Sequence, residues 1–204
     1  EQSTDFDEVS RLGLALGSLG AHLPPKEVAK GAALLVAAME QSTEANELSR
    51  LGFALGSLGA HLPAKEAAIV GVHVVTAMVN TTDSDTLDSL GFALEGLGER
   101  MPADDAAKVA VHLITAMVNS TDSYTLNSLG SALGRLGERL PAEDAAKGAA
   151  RLVAAMEQST DAYELNSLGS ALGSLGERLT GEDAAKGTAR LVVAMEKTTA
   201  YREI

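Results

Sequence analysis

LSRLGFALGSLGAHLPAKEAA, residues 48–68, recurs down the chain with small changes. It returns as LDSLGFALEGLGERMPADDAA from Leu87, as LNSLGSALGRLGERLPAEDAA from Leu126 and as LNSLGSALGSLGERLTGEDAA from Leu165. A more divergent copy starts at Val9, so the starts fall at 9, 48, 87, 126 and 165, evenly spaced without one insertion. A fixed period of this length marks an array in which each unit buries its apolar face against the next. The reading is one repeat domain over 1–204, with units at 9–47, 48–86, 87–125, 126–164 and 165–203. Residues 1–8 read as the end of a preceding unit, because Glu1–Asp5 (EQSTD) repeats Glu157–Asp161. The chain starts at Glu1 rather than Met, which reads as a processed product or a fragment.

Each unit reads as two helices. In the first, Leu126, Leu129, Leu133, Leu136 and Leu140 are spaced 3-4-3-4 and form one apolar stripe. The Thr-Asp pairs ahead of it, Thr82-Asp83 and Thr160-Asp161, supply N-caps. The Leu140-Pro141 step ends the first helix, since the residue before proline is pushed out of the α region. Proline then suits the first position of the second helix, and Glu143-Asp144 suits its positive end. Glu143 with Lys147, and Glu182 with Lys186, are i,i+4 pairs. The fold class expected is therefore all-α, an α-solenoid of five tandem 39-residue helix-turn-helix repeats.

Glycine inside the first helix is costly, at about 0.5–1 kcal/mol per residue relative to Ala. Gly13, Gly17 and Gly20 stand there, and most recur in later units. A phosphate loop would need a strand before the glycines and a turn at them, and the pattern has neither. Close approach of neighbouring backbones beside the leucine stripe is the expected compensation, for example at Gly130 and Gly137.

The two-helix unit resembles HEAT and armadillo-type α-solenoids. The pattern Thr-Asp…Leu-x-x-Leu-Gly-x-Ala-Leu…Arg-Leu-Pro-x-Glu-Asp-Ala-Ala…Ala-Met is similar to degenerate 39-residue helical repeats of bacterial, planctomycete-type multidomain proteins. The resemblance covers essentially the whole chain. It implies a scaffold or ligand-sensing array and transfers no catalytic residue. Glycine at Gly130 and Gly137, where such repeats usually carry Ala, departs from it.

Composition narrows the function classes. With 28 acidic against 16 basic residues the net charge is −12, opposite to the cationic footprint that nucleic acid or anionic lipid calls for. No nucleic-acid partner and no membrane insertion are expected, since no apolar run reaches the ~20 residues a bilayer span needs. Without Cys there is no disulfide framework, no thiolate metal site and no thiol nucleophile. The compartment is not legible.

The search for chemistry returns little. His22 and His61 share one repeat position, and His73 and His112 share another. Equivalent residues on neighbouring helices stand ~8–10 Å apart, too far to share a metal through ~2 Å bonds. Arg139 and Arg178, or Arg151 and Arg190, replace them later, as expected of solvated polar positions. Asp83, Asp85 and Asp88 lack the ligand alternation of a calcium loop and suit a helix N-terminus. Asn80-Thr81-Thr82 and Asn119-Ser120-Thr121 match the glycosylation pattern, one repeat apart. No catalytic residue, metal site or cofactor is expected, and the chain reads as no enzyme.

A partner is expected along the second helix. Opposite its buried Ala145, Leu152, Val153 and Met156 runs a stripe of Lys147, Arg151, Ala154 and Gln158. In other units the candidates on it are His73, Thr76 and Asn80; Lys108, His112, Thr115 and Asn119; and Lys186 and Arg190. This ribbon is basic or neutral in an acidic chain, pointing to an extended or acidic peptide, or else to an ordinary solvated face. A second candidate is an apolar patch of Leu14, Phe53 and Phe92, one repeat position on the first helix, which competes with packing into the core. A further reading is self-assembly, with uncapped repeat ends stacking head to tail into a homo-oligomer.

Overall fold

The computed structural model describes residues 2–120, 122–137 and 139–200. Among these residues the chain is all-helical, with ten α-helices packed against one another and no strand. They are α1 (Gln2–Leu19), α2 (Pro25–Gln41), α3 (Ala45–Gly59), α4 (Ala64–Val79) and α5 (Ser84–Gly98). There follow α6 (Ala103–Asn119), α7 (Ser123–Gly137), α8 (Ala142–Gln158), α9 (Ala162–Ser174) and α10 (Gly181–Ala200). Short 3-10 turns over Gly20–His22 and Gly176–Arg178 end α1 and α9.

The odd-numbered helices pack in succession, α1 on α3, α3 on α5, α5 on α7 and α7 on α9, and the even-numbered helices do the same. Each of α2, α4, α6 and α8 also lies against the odd helix that follows it. The two rows enclose a continuous apolar interior from Val28 to Leu175. The leucine stripe lines it: Leu126, Leu129, Leu133, Leu136 and Leu140 are all buried, as are Leu51, Leu55, Leu58 and Leu62 in α3 and just after it. Ala145, Leu152, Val153 and Met156 face it from α8. At ~1.5–3 kcal/mol per fully buried leucine, this interior is the dominant stabilising term.

The helix starts follow from local chemistry. Asp83 caps α5 by accepting from Thr86 N at 2.9 Å and Thr86 Oγ1 at 2.7 Å. Asp122 accepts from the same atoms of Thr125 at 2.8 and 2.7 Å. These bonds, the side-chain hydroxyl first and the backbone N–H second, hold both carboxyls below the usual aspartate range. Asp161 caps α9 through Tyr163 N and Glu164 N. The prolines sit one position earlier than expected: Pro63, Pro102 and Pro141 are N-caps with φ between −56° and −59°. Only Pro25 takes the first helical position, behind Pro24 as the cap. An N-cap residue needs no free N–H, so proline costs nothing there either. One expected break is missing: α1 is helical through Ser3-Thr4-Asp5, where Ser159-Thr160-Asp161 is extended. In that later segment Asp161 N donates to Ser159 Oγ at 3.2 Å and fixes the turn.

Candidate functional site

The exposed stripes of the even helices form grooves where two such helices run side by side. Between α6 and α8 lies a groove of about 540 Å³. Thr115, Val118 and Asn119 line one wall, Arg151, Ala154, Ala155 and Gln158 the other, and Ser159 and Glu164 close the end. Between α2 and α4 lies a second, of about 380 Å³, lined by His73, Thr76, Ala77 and Asn80 on one side and Met39 and Glu40 on the other. One wall corresponds to that of the first: His73, Thr76, Ala77 and Asn80 lie 78 residues before Arg151, Ala154, Ala155 and Gln158, whereas on the facing wall only Glu40 and Val118 correspond. The two grooves thus gather Thr115, Asn119, Arg151, Ala154 and Gln158, and His73, Thr76 and Asn80, from the expected stripe.

Apart from His112, the remaining stripe residues are engaged elsewhere. Lys108 Nζ meets Asp105 at 2.6 Å, Lys147 meets Glu143 at 2.7 Å and Asp144 at 3.6 Å, and Lys186 meets Glu182 at 2.8 Å. The hydrogen bond, then the Coulombic attraction, raises each lysine above its ordinary value. The same contact with Lys147 lowers Glu143. The positive ribbon is therefore balanced one turn away, on its own helices. Arg190 donates to Met156 O at 2.8 Å and to Ser159 O, satisfying carbonyls at the end of α8 rather than facing a groove. His112 is exposed on α6 and lines neither groove.

Within the grooves the polar groups are partly committed. Arg151 donates to Thr115 Oγ1 at 3.4 Å, while Thr115 and Thr76 donate to the carbonyls of Val111 at 2.7 Å and Val72 at 2.9 Å. His73 Nδ1 lies 2.7 Å from Glu40 Oε1 across the second groove. Ser159 donates to Glu164 at 2.7 Å, as Ser42 donates to Glu47 at 2.8 Å. What the α6–α8 groove offers a ligand is an aliphatic strip of Val118, Ala154 and Ala155 between the amides of Asn119 and Gln158.

The aromatic patch is half surface, half packing. Phe53 and Phe92 stack with ring centroids 5.0 Å apart, and remain 49% and 38% exposed. Phe92 lies over Gly56, where a Cβ would collide with its ring. Leu14 is half-buried against the core and shares a hollow of about 420 Å³ with Arg11, Arg50 and Phe53.

Another set of residues serves a purpose the helical wheel does not reveal. Arg100 donates to Leu62 O at 3.4 Å, Arg139 to Gly98 O at 2.6 Å and Met101 O at 3.3 Å, and Arg178 to Leu140 O at 2.8 Å. Each closes the carbonyls at or just beyond the end of the preceding odd helix. Arg139, exposed as expected, and Arg178, half-buried, are thus also structural bridges. Their signal was the recurrence of Arg just before Met101-Pro102, Leu140-Pro141 and Leu179-Thr180, but the acceptor lies far back in the chain.

Among the described residues no three His, Asp or Glu side chains gather as a metal set, and no helix is long and apolar enough to cross a membrane. No protein-family model matches the chain, and comparison with curated proteins and with solved structures finds no match.

Proposed function

We propose that the chain is an α-solenoid of five 39-residue two-helix repeats, of the HEAT/armadillo-like kind its repeat resembles. In this reading it is a non-enzymatic interaction scaffold that binds an extended segment of a peptide or protein across the even-numbered helices. One observation carries the reading: two grooves, each with one wall built from corresponding positions 78 residues apart, hold eight of the stripe residues. A ligand crossing them would set small aliphatic side chains on Val118, Ala154 and Ala155 and polar groups against Asn119 and Gln158. Because the stripe lysines are balanced by Asp105, Glu143 and Glu182, the grooves favour a largely uncharged peptide. Arg151 is the residue placed to meet a carboxylate.

The test is to pan a random peptide library displayed on phage against the chain and measure the selected peptides by fluorescence anisotropy. Ala154→Trp and Thr76→Trp fill the two grooves and are expected to weaken binding ~10-fold or more, the size of a lost anchor contact. Ala150→Trp, exposed on α8 outside the groove, should leave binding unchanged. Equal binding by all three variants would overturn the reading.

A further inference from the structure

The two ends of the helix array expose residues that are covered at every corresponding position inside it. On α10, Val192 is 45% exposed, whereas Val36, Val75, Ile114 and Val153, its counterparts in the other units, are buried to 8% or less. On α1, Leu12 is 58% exposed, whereas Leu51, Leu90, Leu129 and Leu168 are at 0%. Leu19 is 54% exposed, whereas Leu58, Leu97 and Leu136 are at 0% and Leu175 at 1%.

Glycine adds an independent observation. Gly17 and Gly134 stand so close to the next odd helix that a Cβ would lie 2.7 Å from Ser57 Cβ and 3.1 Å from Ser174 Cβ. Gly173, the corresponding residue of α9, meets nothing within 4 Å. Its helical cost of about 0.5–1 kcal/mol is uncompensated in a single chain. The serine that fits such a glycine is present at the far end of the molecule: Ser18 of α1 occupies the position of Ser57 and Ser174, and is exposed.

We infer that the α9–α10 face of one chain receives α1 and α2 of a second copy of this chain. The contact reproduces the internal junctions. Gly173 takes Ser18 of the second copy, and Leu19 of the second copy covers the glycine-lined end of α9 as Leu136 covers Gly98. Val192 is covered by α2 of the second copy, as Ile114 is by Gly148 of α8. Because the two surfaces are different and lie at opposite ends, the association is head-to-tail. It uses none of the groove residues and stands or falls apart from peptide binding.

Sedimentation equilibrium of the full chain across a wide concentration range tests this. The wild type should rise from 20.9 kDa through successive multiples. Gly173→Leu adds a side chain where the single chain has open space, so its thermal melt should be unchanged or higher. Its association should weaken ~10-fold or more, as overpacking a formed interface would do. Leu19→Glu should block the other end. An equimolar mixture of the two variants retains one intact junction and should stop at the dimer, although neither assembles alone. A wild-type mass of one chain at every concentration, or association untouched by Gly173→Leu, would overturn the proposal.

Discussion

The contact of α3 with α5 and the contact of α5 with α7 join corresponding elements in different ways. Along the first, backbone lies on backbone. A Cβ at Gly59 would be 2.8 Å from Leu97 N, one at Gly52 3.2 Å from Leu90 N, and one at Gly96 2.5 Å from Gly56 O. Along the second, Gly91 faces open space and Gly98 meets only the side chain of Leu136. The reason lies in one pair of positions. One register sets which residues face each other across successive odd helices: Gly17 faces Ser57, Gly56 faces Gly96 and Gly134 faces Ser174. At the α5–α7 contact that pair is Glu95 and Arg135, which form an ion pair over a hollow of about 440 Å³. Small residues let the helices touch, and long charged ones hold them apart. The glycines are therefore spacers whose value depends on what faces them from the next odd helix.

The largest effect should come from filling the tight contact. Gly59→Leu drives a side chain into the backbone of Gly96 and Leu97 and should cost about 3 kcal/mol, the upper part of the range for overpacking a packed core. Urea unfolding would measure it, and a variant as stable as wild type would show that α3 and α5 are not in backbone contact. A smaller effect belongs to the wide contact. Both partners of the Glu95–Arg135 pair are about half exposed, so a double-mutant cycle should give only ~0.2–1 kcal/mol. That coupling should vanish at about 1 M salt, where charges are screened within ~3 Å. A coupling that persisted there would mean the pair acts through packing and not charge.

Much of this molecule was legible in its sequence. The 3-4-3-4 leucine spacing located the buried stripe, and the Thr-Asp pairs located the caps at Asp83 and Asp161. Lys147 with Glu143 and Lys186 with Glu182 were readable from i,i+4 spacing alone, because both partners share one helix. What escaped depends on the register between helices. The bridges from Arg100, Arg139 and Arg178 reach acceptors about 40 residues earlier in the chain, at Leu62, Gly98 and Leu140. The same holds for the α6–α8 groove. Its stripe was visible on a wheel, but Ser159 and Glu164, which close it, come from the turn after α8 and from α9. The run ALGSLG becomes ALEGLG in 93–98 and ALGRLG in 132–137. Both changes are plain in the sequence, yet they acquire meaning only once Glu95 and Arg135 are known to face each other.

One helix carries the whole contrast, since α5 turns Gly96 toward α3 and holds Gly91 at the position from which Gly52 and Gly130 meet the next odd helix. Measuring the unfolding free energies of Gly96→Ala and Gly91→Ala under the same conditions is the most direct test. Gly96→Ala should destabilise by ~1–3 kcal/mol through overlap with the α3 backbone. Gly91→Ala should stabilise by about 0.5–1 kcal/mol through helix propensity alone. Two changes of the same sign would contradict the account.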